Sequence, residues 1–225
     1  MKILAIDTAT PAVVTGAVDL SPDQTPVAVA ERVVHDHRRH AEVLTTLMAE
    51  VLAEAGWTGA DLDAVVVGCG PGPFTGLRVG MATAAAYADA LAVPVHGVCS
   101  LDAVAAAVEA DGGERPLLVV TDARRREVYW ARYTAGTRSA GPDVCAPDAV
   151  DPAGAVLVAG TPGFSDRYGL PVSPVEVPTA ASLVTAAAGA LRAGTAPEPL
   201  TPLYLRRPDA VELKDQRRKS LLPEK

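Results

Sequence analysis

The chain of 225 residues predicts an α/β protein in two parts, and three observations support this class. Its first third alternates short apolar runs with turn residues, the pattern of β-strands. Stretches whose apolar residues recur at helical spacing follow, each next to a further apolar run. A polar break at residues 111–116 then separates this part from a shorter set of strand-like runs.

The first part has the predicted order β-β-β-α-β-α-β-α. Short turns between its first three strands favour an antiparallel meander. This order is typical of the ribonuclease H-like fold, which forms each lobe of the actin, sugar-kinase and Hsp70 (ASKHA) proteins. The predicted strands cover 2–7, 13–18, 27–34, 64–67 and 93–98, and the predicted helices cover 44–55, 77–92 and 101–110.

The second part is shorter than a full lobe. We predict strands at 117–122, 127–134 and 155–159, one helix at 179–192, and a loop over 135–153, which is rich in Gly, Pro and Asp. The predicted architecture is therefore a two-lobed, actin-like fold with a reduced second lobe. Its domains would be 1–110, a dimerisation lobe, then 116–205, followed by a charged tail at 206–225.

Composition limits the function. The net charge is −7, although the tail has seven Lys or Arg and four Asp or Glu. An acidic body binds phosphate backbones poorly, so we expect any nucleic acid to be reached through a partner. No apolar run is long enough to cross a membrane, and Asp7 ends the first apolar run too early for a signal peptide, so we expect a cytoplasmic protein. The three cysteines show no disulfide or metal-binding spacing.

The most distinctive stretch is residues 68–80, where five glycines and two prolines join a strand to a helix. Two interpretations are open. A helix N-terminus after a glycine loop can bind an anion or nucleotide, although Pro71 and Pro73 lack N–H donors and no P-loop lysine follows. The loop can instead be a rigid support for a docking surface. The candidate anion-binding residues are Asp7, Gly72, Thr75, Gly76 and Arg78.

The helix predicted at 77–92 is apolar on nearly every side, so it must be covered on every side. A partner helix is the preferred cover, and coverage by the rest of this chain is the alternative. The amphipathic helix at 44–55 would share the surface. The candidate partner-interface residues are Leu44, Leu47, Met48, Val51, Arg78, Met81, Ala82, Ala85, Ala86 and Asp89.

We assign no catalytic or metal-binding residue. His35, His37 and His40 cluster, but no Cys or acidic partner has ligand spacing, so a solvated helix start is favoured. No Ser-His-Asp or Cys-His arrangement is recognisable, which leaves little support for a peptidase. The alternative enzyme would be a nucleotide-dependent hydrolase or kinase that uses Asp7, the glycine loop and Asp122.

Five segments together resemble the TsaB (YeaZ) family. The glycine segment is the specific one, although the family commonly has Ser at the position of Pro73. The segments read ILAIDTA at 3–9, HAE at 40–42, GPGPFTGLRVG at 70–80, DARRREVY at 122–129 and PLYLR at 202–206.

The resemblance implies a non-catalytic subunit for synthesis of N6-threonylcarbamoyladenosine at position 37 of tRNA. It implies pairing with a TsaD-like transferase, joined by a TsaE-like ATPase, and a homodimer when the chain is alone. We expect the chain to need no cofactor, with at most weak ATP or ADP binding at the complex interface. We expect it to contact tRNA only indirectly.

Overall fold

The computed structural model describes residues 1–35, 40–112 and 115–206, without the side chains of His40 and Ala41. The first 112 residues form a five-stranded sheet in the order β3-β2-β1-β4-β5. Its strands are β1 (Lys2–Asp7), β2 (Val13–Asp19), β3 (Val27–Val34), β4 (Ala64–Gly68) and β5 (Val95–Val98), and its helices are α1 (His40–Glu54), α2 (Phe74–Leu91) and α3 (Ser100–Gly112).

The type of connection between its strands determines which neighbours in this sheet are parallel and which are antiparallel. β1 pairs antiparallel with β2, with Ile3 opposite Val18, and β2 pairs antiparallel with β3 across short turns. β1 pairs parallel with β4, which is reached through α1, and β4 pairs parallel with β5 through α2. Helical crossovers of this kind give parallel neighbours, whereas tight turns give antiparallel ones.

The second sheet repeats this pattern without a fifth strand, in the order β8-β7-β6-β9. β6 is antiparallel to β7 and parallel to β9, as β1 is to β2 and β4. The repeated order confirms the predicted ribonuclease H-like, actin-like class. The elements are β6 (Leu117–Asp122), β7 (Val128–Thr134), β8 (Thr137–Cys145), β9 (Leu157–Gly160) and a last helix, α4 (Ala180–Ala193).

The predicted loop at 135–153 is wrong, because β8 occupies its first half. Ala135 and Gly136 form the tight turn before β8, both with positive φ, at 47° and 69°. β8 is an edge strand whose residues are mostly exposed, so it carries no alternation of apolar and polar residues to identify it. Helix α2 also begins at Phe74, three residues before the predicted start, and α3 extends two residues into the predicted linker.

The helices form layers on the first sheet. α1 and α2 pack on one face, where Leu44, Leu77 and Ala84 meet Leu4 and Val65. α3 and α4 pack on the other face, and α3 also contacts the second sheet. No helix in the described part of the chain is long and apolar enough to cross a membrane.

Helix α4 follows the second sheet in the chain but packs on the first one. Its N-terminus has a capping box, in which Thr179 accepts from the Ser182 amide and Ser182 accepts from the Thr179 amide. The amide of Ala180 donates to the Glu31 carboxylate on β3. The predicted division at 1–110 and 116–205 stays a prediction, and α4 crosses it. The tail at 207–225 lies outside the described residues.

Candidate functional site

The glycine loop packs directly on the turn that follows β1. A Cβ on Gly72 would lie 2.0 Å from the carbonyl oxygen of Ala9, and one on Gly80 would lie 2.2 Å from Thr8 Oγ1. The Thr8 hydroxyl donates a hydrogen bond to the Gly76 carbonyl at 2.7 Å. Only glycine permits so close an approach, because any side chain would separate the two backbones.

Asp7 is fully buried and holds this junction together. Its Oδ1 accepts from the backbone amides of Ala9 and Thr10 at 3.0 and 3.2 Å, and from the Thr10 hydroxyl. Its Oδ2 accepts from the Ser100 hydroxyl at the start of α3. Burial raises the pKa of Asp7, and this effect outweighs the hydrogen bonds, which lower it.

The five candidate anion-binding residues do not converge on one point. Asp7 and Gly76 are buried, with the carboxylate and the carbonyl already engaged inside the protein. Thr75 is exposed. Only Gly72 and Arg78 line a common cleft.

That cleft has a volume of about 910 Å³ and lies between the start of α2, the β6–β7 turn and the segment 204–206. Its lining combines guanidinium groups with aromatic rings, a composition suited to anionic and planar ligands. We call it the arginine–aromatic cleft. It is lined by Gly72, Pro73, Phe74, Arg78, Ala123, Arg124, Arg125, Tyr129, Tyr204, Leu205 and Arg206.

Aromatic stacking closes one side of the cleft. The rings of Phe74 and Tyr204 are stacked, with centroids 5.2 Å apart and planes inclined by 26°. The Arg78 guanidinium lies 3.8 Å from the Phe74 ring centroid, and its Nε donates to the Tyr204 hydroxyl at 2.8 Å. Phe74 and Tyr204 nevertheless remain 51% and 42% exposed. Ring surface is therefore available to a ligand.

The β6–β7 turn also lines the cleft, and its backbone is strained. Arg124, Arg125 and Arg126 have φ of 64°, 53° and 66°, all in the left-handed region. An L-residue in this region costs about 1–2 kcal/mol relative to a right-handed conformation. Arg124 and Arg125 line the cleft, whereas Arg126 does not.

The segment 200–206 connects the two sheets beside the cleft. Leu200 packs on the core of the first sheet and Leu205 on that of the second. The Leu203 amide donates to the Cys69 carbonyl at 2.9 Å. Arg206 donates to the Ala123 carbonyl at 2.7 Å and pairs with Glu127 at 2.9 Å.

A second surface lies between α1 and α2, where a groove of about 570 Å³ is open to solvent. We call it the α1–α2 groove. Its lining is small apart from Met48 and Tyr87, so it presents backbone and Cβ atoms at close range. It is lined by Thr45, Met48, Ala49, Ala82, Thr83, Ala86, Tyr87 and Ala90.

The candidate interface residues divide between this surface and the core. The apolar side chains of α1, together with Met81 on α2, pack on the chain's own sheet and support the groove from beneath. Arg78, Ala82, Ala86 and Asp89 are exposed, and Ala85 is half-buried. Partner binding at this face stays a prediction. The buried residues are Leu44, Leu47, Met48, Val51 and Met81.

The buried thiols and the histidines are the remaining groups considered for reactivity. Burial raises the pKa of the Cys69 and Cys99 thiols to about 11 each, so both are protonated at neutral pH. His37 and the His40 side chain lie outside the described residues. Within the described ranges, no group of three or more His, Cys, Asp or Glu is placed to hold a metal ion.

The sequence interpretation missed most of the arginine–aromatic cleft. In the sequence, Arg124 and Arg125 are part of one family-like segment, 122–129, and Tyr204 and Arg206 are part of another, 202–206. The local signal was a basic run and an aromatic–basic pair, each too common to indicate a site. Their meeting point depends on contacts between residues that are far apart in sequence.

The repeated sheet order and the tightly packed glycine loop define a two-lobed protein of the ribonuclease H-like class. A family model described as "TsaD: tRNA N6-adenosine threonylcarbamoyltransferase" matches residues 31–196. The chain therefore belongs to this TsaD-type family, and within it to the TsaB (YeaZ) group.

Relatives in sequence and structure agree with this placement. An uncharacterized protein of Mycobacterium tuberculosis, Rv3421c, is 55% identical over 214 residues, which are 94% of each chain. The Escherichia coli tRNA threonylcarbamoyladenosine biosynthesis protein TsaB is 37% identical over 133 residues, 59% of this chain and 55% of that protein. The structure of YeaZ from Pseudomonas aeruginosa superposes with a TM-score of 0.76 at 26% identity, covering 91% of this chain and 100% of that one.

Proposed function

We propose that this chain is a non-catalytic dimerisation subunit for synthesis of N6-threonylcarbamoyladenosine in tRNA. It pairs with a TsaD-like transferase, which a TsaE-like ATPase joins, and it forms a homodimer when alone. The similarity to the E. coli protein TsaB supports the pathway. The uncovered α1–α2 groove is the observation that carries the subunit role.

The groove has the character of a helix-docking surface. Ala82, Ala86 and Ala90 follow one another at intervals of four residues, so their methyl groups form one exposed stripe along α2. Small residues allow a partner helix to approach closely. Docking two helices of this length would suit a specific interface of roughly 1,200–2,000 Å² in total.

The state of Asp7 supports a role without catalysis. A nucleotide-dependent hydrolase or kinase built on this turn would need the carboxylate and the neighbouring amides to face a ligand. Here the amides of Ala9 and Thr10 donate to Asp7 itself, and Gly72 covers Ala9. In this proposal the chain needs no cofactor of its own, and any weak ATP or ADP binding belongs to the interface with the transferase.

A charge placed in the groove tests the proposal. We expect Ala86→Glu to abolish co-purification with the TsaD-like transferase, because it buries an unpaired carboxylate in the interface. The variant should still unfold cooperatively, since Ala86 is exposed in the isolated chain. The readouts are pull-down with the transferase and the N6-threonylcarbamoyladenosine content of tRNA in cells that carry only the variant.

Ala186→Glu is the matched control, because it makes the same change at an exposed site on α4, outside the α1–α2 groove. It should retain both the partner and the modified nucleoside. Retained binding by Ala86→Glu would refute the groove as the interface. Normal modification in cells that lack the gene and any redundant copy would refute the pathway.

A further inference from the structure

The three arginines of the β6–β7 turn have a left-handed backbone conformation, which is unfavourable for any residue other than glycine, Asn or Asp. The Glu127 amide donates to the Arg124 carbonyl and the Ala123 amide to the Glu127 carbonyl, each at 3.0 Å, which closes a tight hairpin. Positive φ at both central residues is the geometry of a type I′ turn, which strongly prefers Asn and Gly. Three consecutive arginines with positive φ lower the stability of the fold, and backbone strain of this kind is concentrated at functional sites.

Charge and aromatic surface meet at the same place. Arg124, Arg125, Phe74 and Tyr204 are all exposed and all line the arginine–aromatic cleft. Arg124 is paired only loosely with Asp122, at 3.6 Å, and its side chain is 55% exposed. Among the described residues, no carboxylate lies within salt-bridge distance of Arg78, whose guanidinium is held by the two rings.

We infer that the arginine–aromatic cleft binds single-stranded RNA. Arg124 and Arg125 contact phosphates, and an unstacked base packs on the exposed surface of the Phe74–Tyr204 pair. Arginines that follow a backbone beside stacking aromatic rings are the recurrent arrangement for single-stranded nucleic acids. The choice of RNA as the source of these nucleotides rests on the proposed function in tRNA modification.

The cleft favours a polynucleotide over a free nucleotide for a geometric reason. Tight nucleotide sites surround phosphates with backbone amides from a glycine loop. Here Pro73 at the cleft has no N–H, and Gly72 is packed against Ala9. The exposed polar groups that line the cleft are arginine side chains beside two aromatic rings, which suits several nucleotides with one base stacked. Direct contact with RNA would differ from the expectation of indirect tRNA contact, which the acidic net charge supported.

The test uses fluorescence anisotropy of the full chain with a labelled RNA stem-loop that has a seven-nucleotide loop. We expect this probe to bind more tightly than a blunt RNA duplex of equal length, at about 50 mM salt. Arg125→Gly should weaken binding at least about fivefold and lower the slope of log K against log salt by about 1. Phe74→Leu should weaken binding to the loop while leaving the salt slope unchanged.

Arg126→Gly is the matched control. Both glycine variants remove one guanidinium and relieve one left-handed residue, but only Arg125 lines the cleft. Melting temperatures of both variants are measured alongside, and lost binding by an Arg125→Gly chain that is still folded at the assay temperature cannot reflect unfolding. Arg126→Gly should bind within about twofold of the unaltered chain. Equal losses in the two variants would overturn the inference, as would no binding of the stem-loop by the unaltered chain.

Two further measurements distinguish binding of RNA in the cleft from binding of a free nucleotide and from binding by the basic tail. Adenosine monophosphate that competes as well as the stem-loop would overturn RNA as the ligand. A chain that ends at Arg206 should retain binding, and its loss would assign the contact to the basic tail instead. Arg125→Gly should still co-purify with the transferase and Ala86→Glu should still bind RNA, so the failure of either proposal is distinguishable from failure of the other.

Discussion

At the scale of single residues, Asp7 lies in a family-like segment and joins several elements of the fold through its buried carboxylate. Its carboxylate accepts two backbone amides and two hydroxyls, which come from the β1–β2 turn and the start of α3. Gly68 lies so close that a Cβ there would meet Asp7 Oδ2 at 1.8 Å. The side chain therefore fixes the positions of β1, β4 and α3 relative to one another.

The raised pKa of Asp7 predicts a pH dependence of stability. Because the folded pKa lies above the unfolded value of 3.8, the native state retains a proton that the unfolded state releases. The contribution of Asp7 to stability is therefore full below pH 3.8 and declines as pH rises through the folded pKa. Urea unfolding of the unaltered chain and Asp7→Asn should show the unaltered chain losing its relative stability between pH 4 and pH 7.

Asp61→Asn is the control for this experiment, because the pKa of Asp61 is shifted in the opposite direction to that of Asp7. Hydrogen bonds from the Thr58 amide and hydroxyl lower the pKa of Asp61 to about 2, so its contribution disappears only as pH falls from 3.8 towards 2. The stability difference between Asp61→Asn and the unaltered chain should be constant from pH 5 to pH 8. A constant difference for Asp7→Asn over pH 4–7 would contradict a raised pKa.

At the scale of elements, the two ends of α2 differ in how they pack. Its start is packed tightly on the β1–β2 turn, with Gly80 against Thr8, and its later turns leave the alanine stripe exposed. Glycine lowers the stability of a helix relative to alanine. Gly80 is nevertheless required inside α2, because a Cβ there would collide with Thr8. The tight contact sets the direction of α2, and thereby the shape of the α1–α2 groove.

A pair of glycine substitutions tests that tight contact. Gly80→Ala should destabilise the fold by about 1–3 kcal/mol, because its Cβ would displace the Thr8 hydroxyl that donates to Gly76. Gly189→Ala in α4 should stabilise it by about 0.5–1 kcal/mol, since a Cβ there would have no neighbour within 4 Å. Free energies of unfolding from urea titrations measure both. A stabilising Gly80→Ala would show that the contact is loose.

At the scale of the whole molecule, the two sheets depend on each other through α4 and the segment 200–206. Leu183 and Val184 of α4 cover Ile3 and Val66 on the first sheet. The core of the first sheet is thus completed by α4, a helix that follows the second sheet in the sequence. Without α4, fully buried side chains on this face would be exposed to water, at a cost of roughly 25 cal/mol for each Å².

A fragment experiment follows from this arrangement. We expect residues 1–112 alone to lack a cooperative thermal transition, because one face of their sheet has lost α4. Co-expression with a second fragment, 115–206, should restore a soluble complex with a single transition, as judged by calorimetry and size-exclusion chromatography. Cooperative unfolding of the isolated 1–112 fragment would show that the predicted lobe at 1–110 is self-sufficient.

The sequence alone determined the parts of this protein that depend on local pattern. Continuous apolar runs such as 64–67 predicted the central strands, and helical spacing predicted that α1 has one apolar face, because periodicity reflects which side of an element is apolar. The glycine-rich stretch predicted a rigid junction before α2. The segments that resemble TsaB, taken together, indicated the family that the comparisons show.

Only the tertiary structure decided what depends on distant contacts. It placed α4 on the first sheet, revealed β8 as an exposed edge strand, and assigned Leu44 and Val51 to the core. It also joined Phe74, Arg124 and Tyr204 in one cleft, although these residues are widely separated in sequence. Local periodicity reports burial along a single element, whereas a cleft between two sheets is set by how those sheets pack.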